Sequence, residues 1–284
     1  MIKVAIAGAT GYTGGELIRI LLNHPDIELK WLISTTSAGE KVSSVHRDLL
    51  GECNLTFTDS LGDPDVLFMA LGHGLSRQFL SAEKISGECK VIDLGNDFRL
   101  DGKWGEDHFV YGLSELLFEE ISRARFVANP GCFATSINLA LAPLAQAGLL
   151  KNESHVHAIT GSTGAGKALS GTSHFSYREN NISIYKPFTH QHLAEIGMTL
   201  DRFAGRKVPA VNMVPLRGDF TRGILASIYT EVEESYDINA IKELFKERYS
   251  ASPFVIISEE DICLKEVINT NKAMLHIARH GKYI

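Results

Sequence analysis

The stretch from Met1 to Leu22 restricts the fold more than any other part of this chain. Ile2 to Ala7 is a mostly apolar strand, Gly8-Ala9-Thr10-Gly11-Tyr12-Thr13-Gly14-Gly15 is a glycine-rich turn, and Glu16 to Leu22 has apolar residues at helical spacing. Glycines at 8, 11 and 14 let the chain turn tightly, let a pyrophosphate approach the backbone, and let the helix pack on the strand. The spacing, GxxGxxG, is a variant of the dinucleotide fingerprint. It predicts a nucleotide site at Gly8, Thr10, Gly11, Tyr12, Thr13 and Gly14. The bland alternative is a flavodoxin-like turn that holds no cofactor.

Strand signals recur at Glu28 to Ile33, Asp65 to Leu71, Lys90 to Leu94 and Phe126 to Ala128, with helical stretches such as Leu75 to Lys84 among them. This alternation predicts an α/β fold with a doubly wound parallel sheet of the Rossmann type. An NAD site usually places an Asp or Glu at the end of the second strand. Here that strand ends in Ser34-Thr35-Thr36-Ser37. The hydroxyls of Ser34 and Ser37, with Lys41 nearby, suit a 2′-phosphate, so the expected cofactor is NADP. Leu71-Gly72-His73-Gly74 ends another strand, where open α/β sheets bind ligands; His73 is a cofactor contact or a solvated loop histidine.

The run Asn129-Pro130-Gly131-Cys132 lies between the strand ending at Ala128 and an Ala- and Leu-rich helix from Ala134 to Ala147, with a kink expected at Pro143. A cysteine at a helix start meets unpaired N–H groups and the positive end of the helix dipole, which favour a thiolate. The same groups suit a developing oxyanion. Against this stands the reading of Cys132 as one more buried apolar cysteine.

A change of character near Lys151 places the domain boundary there: residues 1–150 form the dinucleotide domain and 151–284 an α+β substrate and catalytic domain. Strands are expected at His155 to Thr160, Gly223 to Val232, Phe254 to Ile257 and Ala273 to Arg279, and a helix at Asn239 to Arg248. A sheet with few helices suits packing on a second subunit, so a homo-oligomer is expected. This half also carries a second glycine-rich loop, Gly161-Ser162-Thr163-Gly164-Ala165-Gly166-Lys167, and the pair His190 and His192 followed by Glu195. Two histidines two apart on extended chain share a face, and either suits the base that a cysteine nucleophile needs. Metal ligation competes, with Glu195 as an arguable ligand, but zinc needs more, so no metal is expected. Arg178, Lys186 and Arg217 are candidate anion binders or simply solvated charges.

Composition narrows the partners. The net charge is -6 and the basic residues are scattered, so no basic stripe invites nucleic acid or an anionic membrane, and the charge accounts for solubility alone. No apolar run approaches the ~20 residues that span a bilayer, and no signal peptide precedes the first strand, so a cytoplasmic location is expected. Cys53, Cys89, Cys132 and Cys263 form no C-x-x-C pair and read as free thiols.

Four stretches together carry a resemblance: VAIAGATGYTGGEL from Val4 to Leu17, NPGC from Asn129 to Cys132, GSTGAGK from Gly161 to Lys167, and HQHLAEI from His190 to Ile196. In these the chain resembles, along its whole length, the N-acetyl-gamma-glutamyl-phosphate reductase family of the aspartate-semialdehyde dehydrogenase superfamily. The resemblance implies NADPH-dependent reduction of an N-acylglutamyl phosphate to its semialdehyde, with phosphate released from a cysteine thioester. It casts Cys132 as nucleophile, His192 as acid and base with His190 second, and Glu195 as the group that orients a histidine or the substrate. Ser162 and Gly164 would face the nicotinamide or the acyl phosphate, and Asn129 and Arg217 the substrate. A dehydrogenase of another acyl phosphate, such as aspartyl phosphate, is the neighbouring alternative. The chain departs from the family at Gly72, where a proline is usual, and at Phe133-Ala134, where tyrosine and proline follow the cysteine. Family members also continue past the position of Ile284 with an Asp-Asn, glycine-rich segment and a final helix that contributes to the cofactor site. A chain without them is expected to bind nucleotide less well, or to bind it without turnover.

Overall fold

Strand β1 (Ile2–Ala7) shows why the first half of the chain forms a parallel sheet. Its side chains alternate between two apolar clusters: Val4 and Ile6 pack with Ile18, Leu21 and Leu32, whereas Ala5 and Ala7 pack with Leu67, Met69 and Val91. A strand buried on both faces needs no polar alternation, hence its apolar run. The computed structural model describes residues 1–284 and divides them into two units, Met1–Pro130 and Gly131–Ile284.

In the first unit β1 leads to α1 (Tyr12–Leu22), β2 (Ile27–Ile33), α2 (Val42–Val45), β3 (Phe57–Thr58), β4 (Val66–Met69), α3 (Ser76–Ala82) and β5 (Lys90–Asp93). β6 (Lys103–Trp104), β7 (Asp107–Tyr111), α4 (Ser114–Arg123) and β8 (Phe126–Ala128) complete it. The strand order is β3-β2-β1-β4-β5-β8-β7-β6. Every neighbouring pair is parallel except the β6–β7 hairpin. This is the doubly wound α/β sheet that the alternation predicts. The direction of winding reverses between β1 and β4, so the crevice at their carboxyl ends is where such sheets take ligands.

The second unit begins with α5 (Cys132–Gln146) and continues with β9 (Ser154–Thr160), α6 (Phe175–Arg178), β10 (Ser183–Ile184), α7 (His192–Ala204), β11 (Val211–Arg217), β12 (Ile224–Thr230) and α8 (Ile238–Tyr249). A parallel pair, β13 (Val255–Ser258) and β14 (Ala273–His276), follows. The main sheet, in the order β10-β11-β9-β12, is mixed: only β11 and β9 run parallel. Val156, Ala158 and Met213 bury one face of it, while His157, Leu225 and Tyr229 are exposed on the strands' alternate positions. No helix is long and apolar enough to cross a membrane.

The division between units falls at Pro130, not near Lys151. Helix α5 follows the last strand of the first sheet and was therefore expected to belong with it, but it packs on α7, α8 and β12 of the second unit. It also starts two residues before the Ala-rich stretch, at Cys132, and runs on through Pro143. Proline has no N–H to offer the carbonyl one turn back, which here is that of Leu139. The buried Tyr249 hydroxyl of α8 donates to that carbonyl at 2.6 Å and fills the gap.

Candidate active site

Cys132 is the first residue of α5, and Gly131 is the cap before it, extended at φ -67° and ψ 149° with no side-chain cap bond. The thiol is exposed, as is that of Cys263; Cys53 and Cys89 are the cysteines in the core. The buried reading thus fits Cys89, whose thiol burial pushes up to about 11, and not Cys132. The Gly131 N–H donates to Glu195 Oε2 at 2.9 Å. Glu195 Oε1 lies 3.9 Å from His192 Nε2, and both side chains are buried. One carboxylate thus ties the cap residue of α5 to an imidazole in the first turn of α7. Gly131 has no room for a side chain, because a Cβ there would fall on the His192 ring.

The two histidines do not lie on extended chain. Gln191 between them is helical, at φ -57° and ψ -28°, and His192 opens α7. They meet because the chain turns: the rings are 4.6 Å apart and inclined by 77°. His190 Nδ1 accepts the backbone N–H of His192 at 3.2 Å. Burial first, and then the charge of Lys186, lower its pKa from 6.5 to about 4. At neutral pH His190 is therefore uncharged, with Nδ1 engaged as acceptor and the proton on Nε2. Phe133 and Tyr185 stand edge-on to the His190 ring at 5.3 and 5.8 Å.

Tyr185 drew no notice in the sequence, because nothing local marks it. Its phenol is pushed up to about 12 by burial and then by the negative charge of Cys132, against the pull of Arg217, so it remains an O–H donor. The Arg217 guanidinium lies 4.8 Å from its ring centre. The glycine-rich loop begins where β9 pairs with the end of β11, Thr160 opposite Arg217. A Cβ on Gly161 would overlap the Thr221 carbonyl, Ser162 donates its N–H to Phe220 at 2.9 Å, and Gly164 is exposed. No group of three His, Cys, Asp or Glu is placed to hold a metal ion.

In the first unit the nucleotide residues fit the group expected of them. Gly8 has φ +79°, and a Cβ there would overlap the Ala70 carbonyl at the end of β4; one on Gly14 would press on Gly8 and Ala9. Helix α1 starts at Tyr12, earlier than the glycines suggested, so Tyr12 and Thr13 form its first turn and Thr10 lies just outside it. The cap residue Gly11 makes no side-chain bond to the start of α1, so no side chain of the cap competes with a phosphate for its first N–H groups. Ser34 is buried with its hydroxyl 3.3 Å from that of Thr36, Ser37 is half-buried and Lys41 exposed. His73 is exposed in the loop before α3, beside Gly74, whose N–H donates to Asp97.

Asn129 is exposed, and its backbone is gripped on both sides: its N–H donates to the Asp93 carbonyl at 2.7 Å and its carbonyl accepts from Arg99 Nε at 2.9 Å. Arg99 and Asp93 were both overlooked. Asp93 is fully buried, accepts from the Ser76 hydroxyl and the Gly95 N–H, and has its pKa raised by burial. A lone acid closing an apolar strand was the available signal.

Family profiles cover nearly the whole chain: the semialdehyde dehydrogenase NAD binding domain matches residues 3–124, and the semialdehyde dehydrogenase dimerisation domain matches residues 132–283. Among solved structures, aspartate semialdehyde dehydrogenase II from Vibrio cholerae superposes with a TM-score of 0.70 at 15% identity, over 100% of this chain and 91% of that one. The fold is thus that of the semialdehyde dehydrogenases. N-acetyl-gamma-glutamyl-phosphate reductases are far nearer in sequence: that of Christiangramia forsetii is 46% identical over 99% of this chain and 87% of its own, and that of Azobacteroides pseudotrichonymphae 48% over 99% and 86%. The chain belongs to the N-acetyl-gamma-glutamyl-phosphate reductase family.

Proposed function

We propose that the chain reduces N-acetyl-gamma-glutamyl phosphate to N-acetylglutamate semialdehyde with release of phosphate, a step of arginine biosynthesis, using NADP(H) and a thioester on Cys132. The observation that carries this reading is the exposed Cys132 at a helix start, with His192 against the preceding residue and Glu195 bridging the two.

His192 takes the Cys132 proton, and the sulfur attacks the acyl carbon. The carbon–sulfur bond forms as the carbon–oxygen bond to phosphate breaks, and phosphate leaves with the bonding pair. The N–H groups of the first turn of α5 face the oxygen that gains charge in this step. NADPH, when bound, supplies the hydride that reduces the thioester carbon. His192 then returns its proton as the carbon–sulfur bond breaks and the aldehyde departs. Glu195 holds the imidazole in place, and His190, neutral and acting through its backbone bond, sets the turn that delivers it.

The nucleotide is NADP and not NAD: the second strand ends in hydroxyls and Lys41, without a carboxylate to repel a 2′-phosphate. The exposed alternate positions of the β10-β11-β9-β12 sheet pack on a second copy of the chain. Light scattering checks this, and a monomer mass removes it. The reaction is tested by following NADPH formation from N-acetylglutamate semialdehyde, NADP and phosphate, beside aspartate semialdehyde and beside NAD. Turnover of the acetylglutamate substrate with NADP is expected; preference for aspartate semialdehyde overturns the substrate assignment.

A further inference from the structure

Arg178 is a buried charge that the proposed reaction leaves unused. It ends α6 and is 6% exposed. Its Nη2 donates to three neutral oxygens: the carbonyls of Asn181 and Arg217, at 3.2 and 3.1 Å, and the Ser183 hydroxyl at 3.4 Å. Its Nε and Nη1 are buried and donate to nothing. An unpaired buried cation is among the costliest groups a fold can hold, and a guanidinium does not escape by losing its proton. Arg217 extends the pattern. Its Nε is also buried without a partner, and its Nη1 makes only a long 3.4 Å contact to Thr172 Oγ1. Two arginines linked through the Arg217 carbonyl, both with buried donors that meet no acceptor, offer those donors to an anion.

That site is close to the chemistry. Arg217 stacks on Tyr185, and the Tyr185 ring is 5.8 Å from that of His190. We propose that Arg178 and Arg217 form a subsite for the carboxylate at the far end of the acyl chain, Arg217 meeting it and Arg178 acting as a positioning residue. Arg178 holds the Arg217 backbone through its carbonyl and adds positive charge from behind. This inference rests on the substrate class proposed above. Phosphate is the other oxyanion of the reaction, but it departs from the carbon that Cys132 attacks and belongs beside the sulfur. Arg217 lies one aromatic ring away from His190, and a glutamyl chain separates acyl carbon from carboxylate by four bonds, about 5 Å when extended.

The test compares N-acetylglutamate semialdehyde with acetamidobutanal, the same chain without its carboxylate, in wild type, Arg178→Met, Arg178→Lys and Arg217→Met. The preference in kcat/KM for the carboxylate-bearing aldehyde is expected to fall roughly 100-fold in each Met variant and to recover in part in Arg178→Lys. A preference that persists in both Met variants makes the pair structural and overturns the proposal. So does a raised KM for phosphate with the aldehyde preference intact. If Arg178→Met does not fold, the ratio in Arg217→Met, whose side chain is half-buried, decides. If wild type oxidises neither aldehyde, the proposed reaction falls, and calorimetry with N-acetylglutamate tests the site by itself. Binding lost in Arg217→Met upholds the site, and equal binding overturns it.

Discussion

The two units make their sites from opposite materials. In the first, the nucleotide turn is defined by side chains that are missing: Gly8 and Gly14 have neighbours where a Cβ would be, and the helix start at Gly11 is left uncapped. In the second, Cys132, Tyr185, His190, His192, Glu195 and Arg217 come from α5, the loop before α7, α7 itself and β11, and the candidate site depends on their side chains. Backbone recognition tolerates change in its surroundings but not at its glycines. A site made of interlocked side chains loses function through any member, by an amount that depends on how directly the member meets the reacting atoms.

The largest effect is expected at Cys132, the proposed nucleophile. Cys132→Ser should lower phosphate-dependent NADPH formation about ten-thousandfold while NADPH still binds, measured by its fluorescence. A variant with near-normal rate removes the covalent step. The histidines sharpen the division of labour: His192→Asn should cost about a hundredfold to ten-thousandfold in kcat, and His190→Asn no more than about tenfold. Equal losses would make the pair a single unit. The contrast between units is probed most directly by two glycines. Gly131→Ala should push the His192 ring aside and lower kcat on the order of a hundredfold. Gly8→Ala, at positive φ and against Ala70, should weaken NADPH binding by about tenfold or more. An exchange of these effects breaks the comparison.

The smallest effect concerns stability. His190 has a folded pKa of about 4 against an ordinary 6.5, lowered by burial, so the unfolded chain binds the extra proton between those values. Stability is full above pH 6.5 and falls by up to a few kcal/mol as pH drops to 4. In His190→Asn, urea unfolding at pH 7 and pH 4.5 should show a smaller difference than in wild type.

These contrasts explain what the sequence made legible. Gly8, Gly11 and Gly14 announce themselves because a backbone site is local, and the parallel sheet because strands buried on both faces read as apolar runs. The placement of Cys132 at a helix start was legible from its position between strand and helix. Arg99 and Tyr185 were not, since their partners, the Asn129 carbonyl and the His190 ring, are set by tertiary packing. The histidine geometry failed for a related reason: a spacing of two suggests one face of a strand, whereas helix α7 starts at the second histidine. The same local reasoning assigned α5 to the sheet it follows and not to the helices it packs against.

The bond from Tyr249 to the Leu139 carbonyl spans 110 residues of chain. The helix that begins with Cys132 therefore has an open rung until synthesis has passed α8. At about 5 to 20 residues per second, that is roughly 5 to 20 s during which the thiol stands on an unfinished helix. Leu139 is thus made early in the second unit and gains this partner only once α8 has followed.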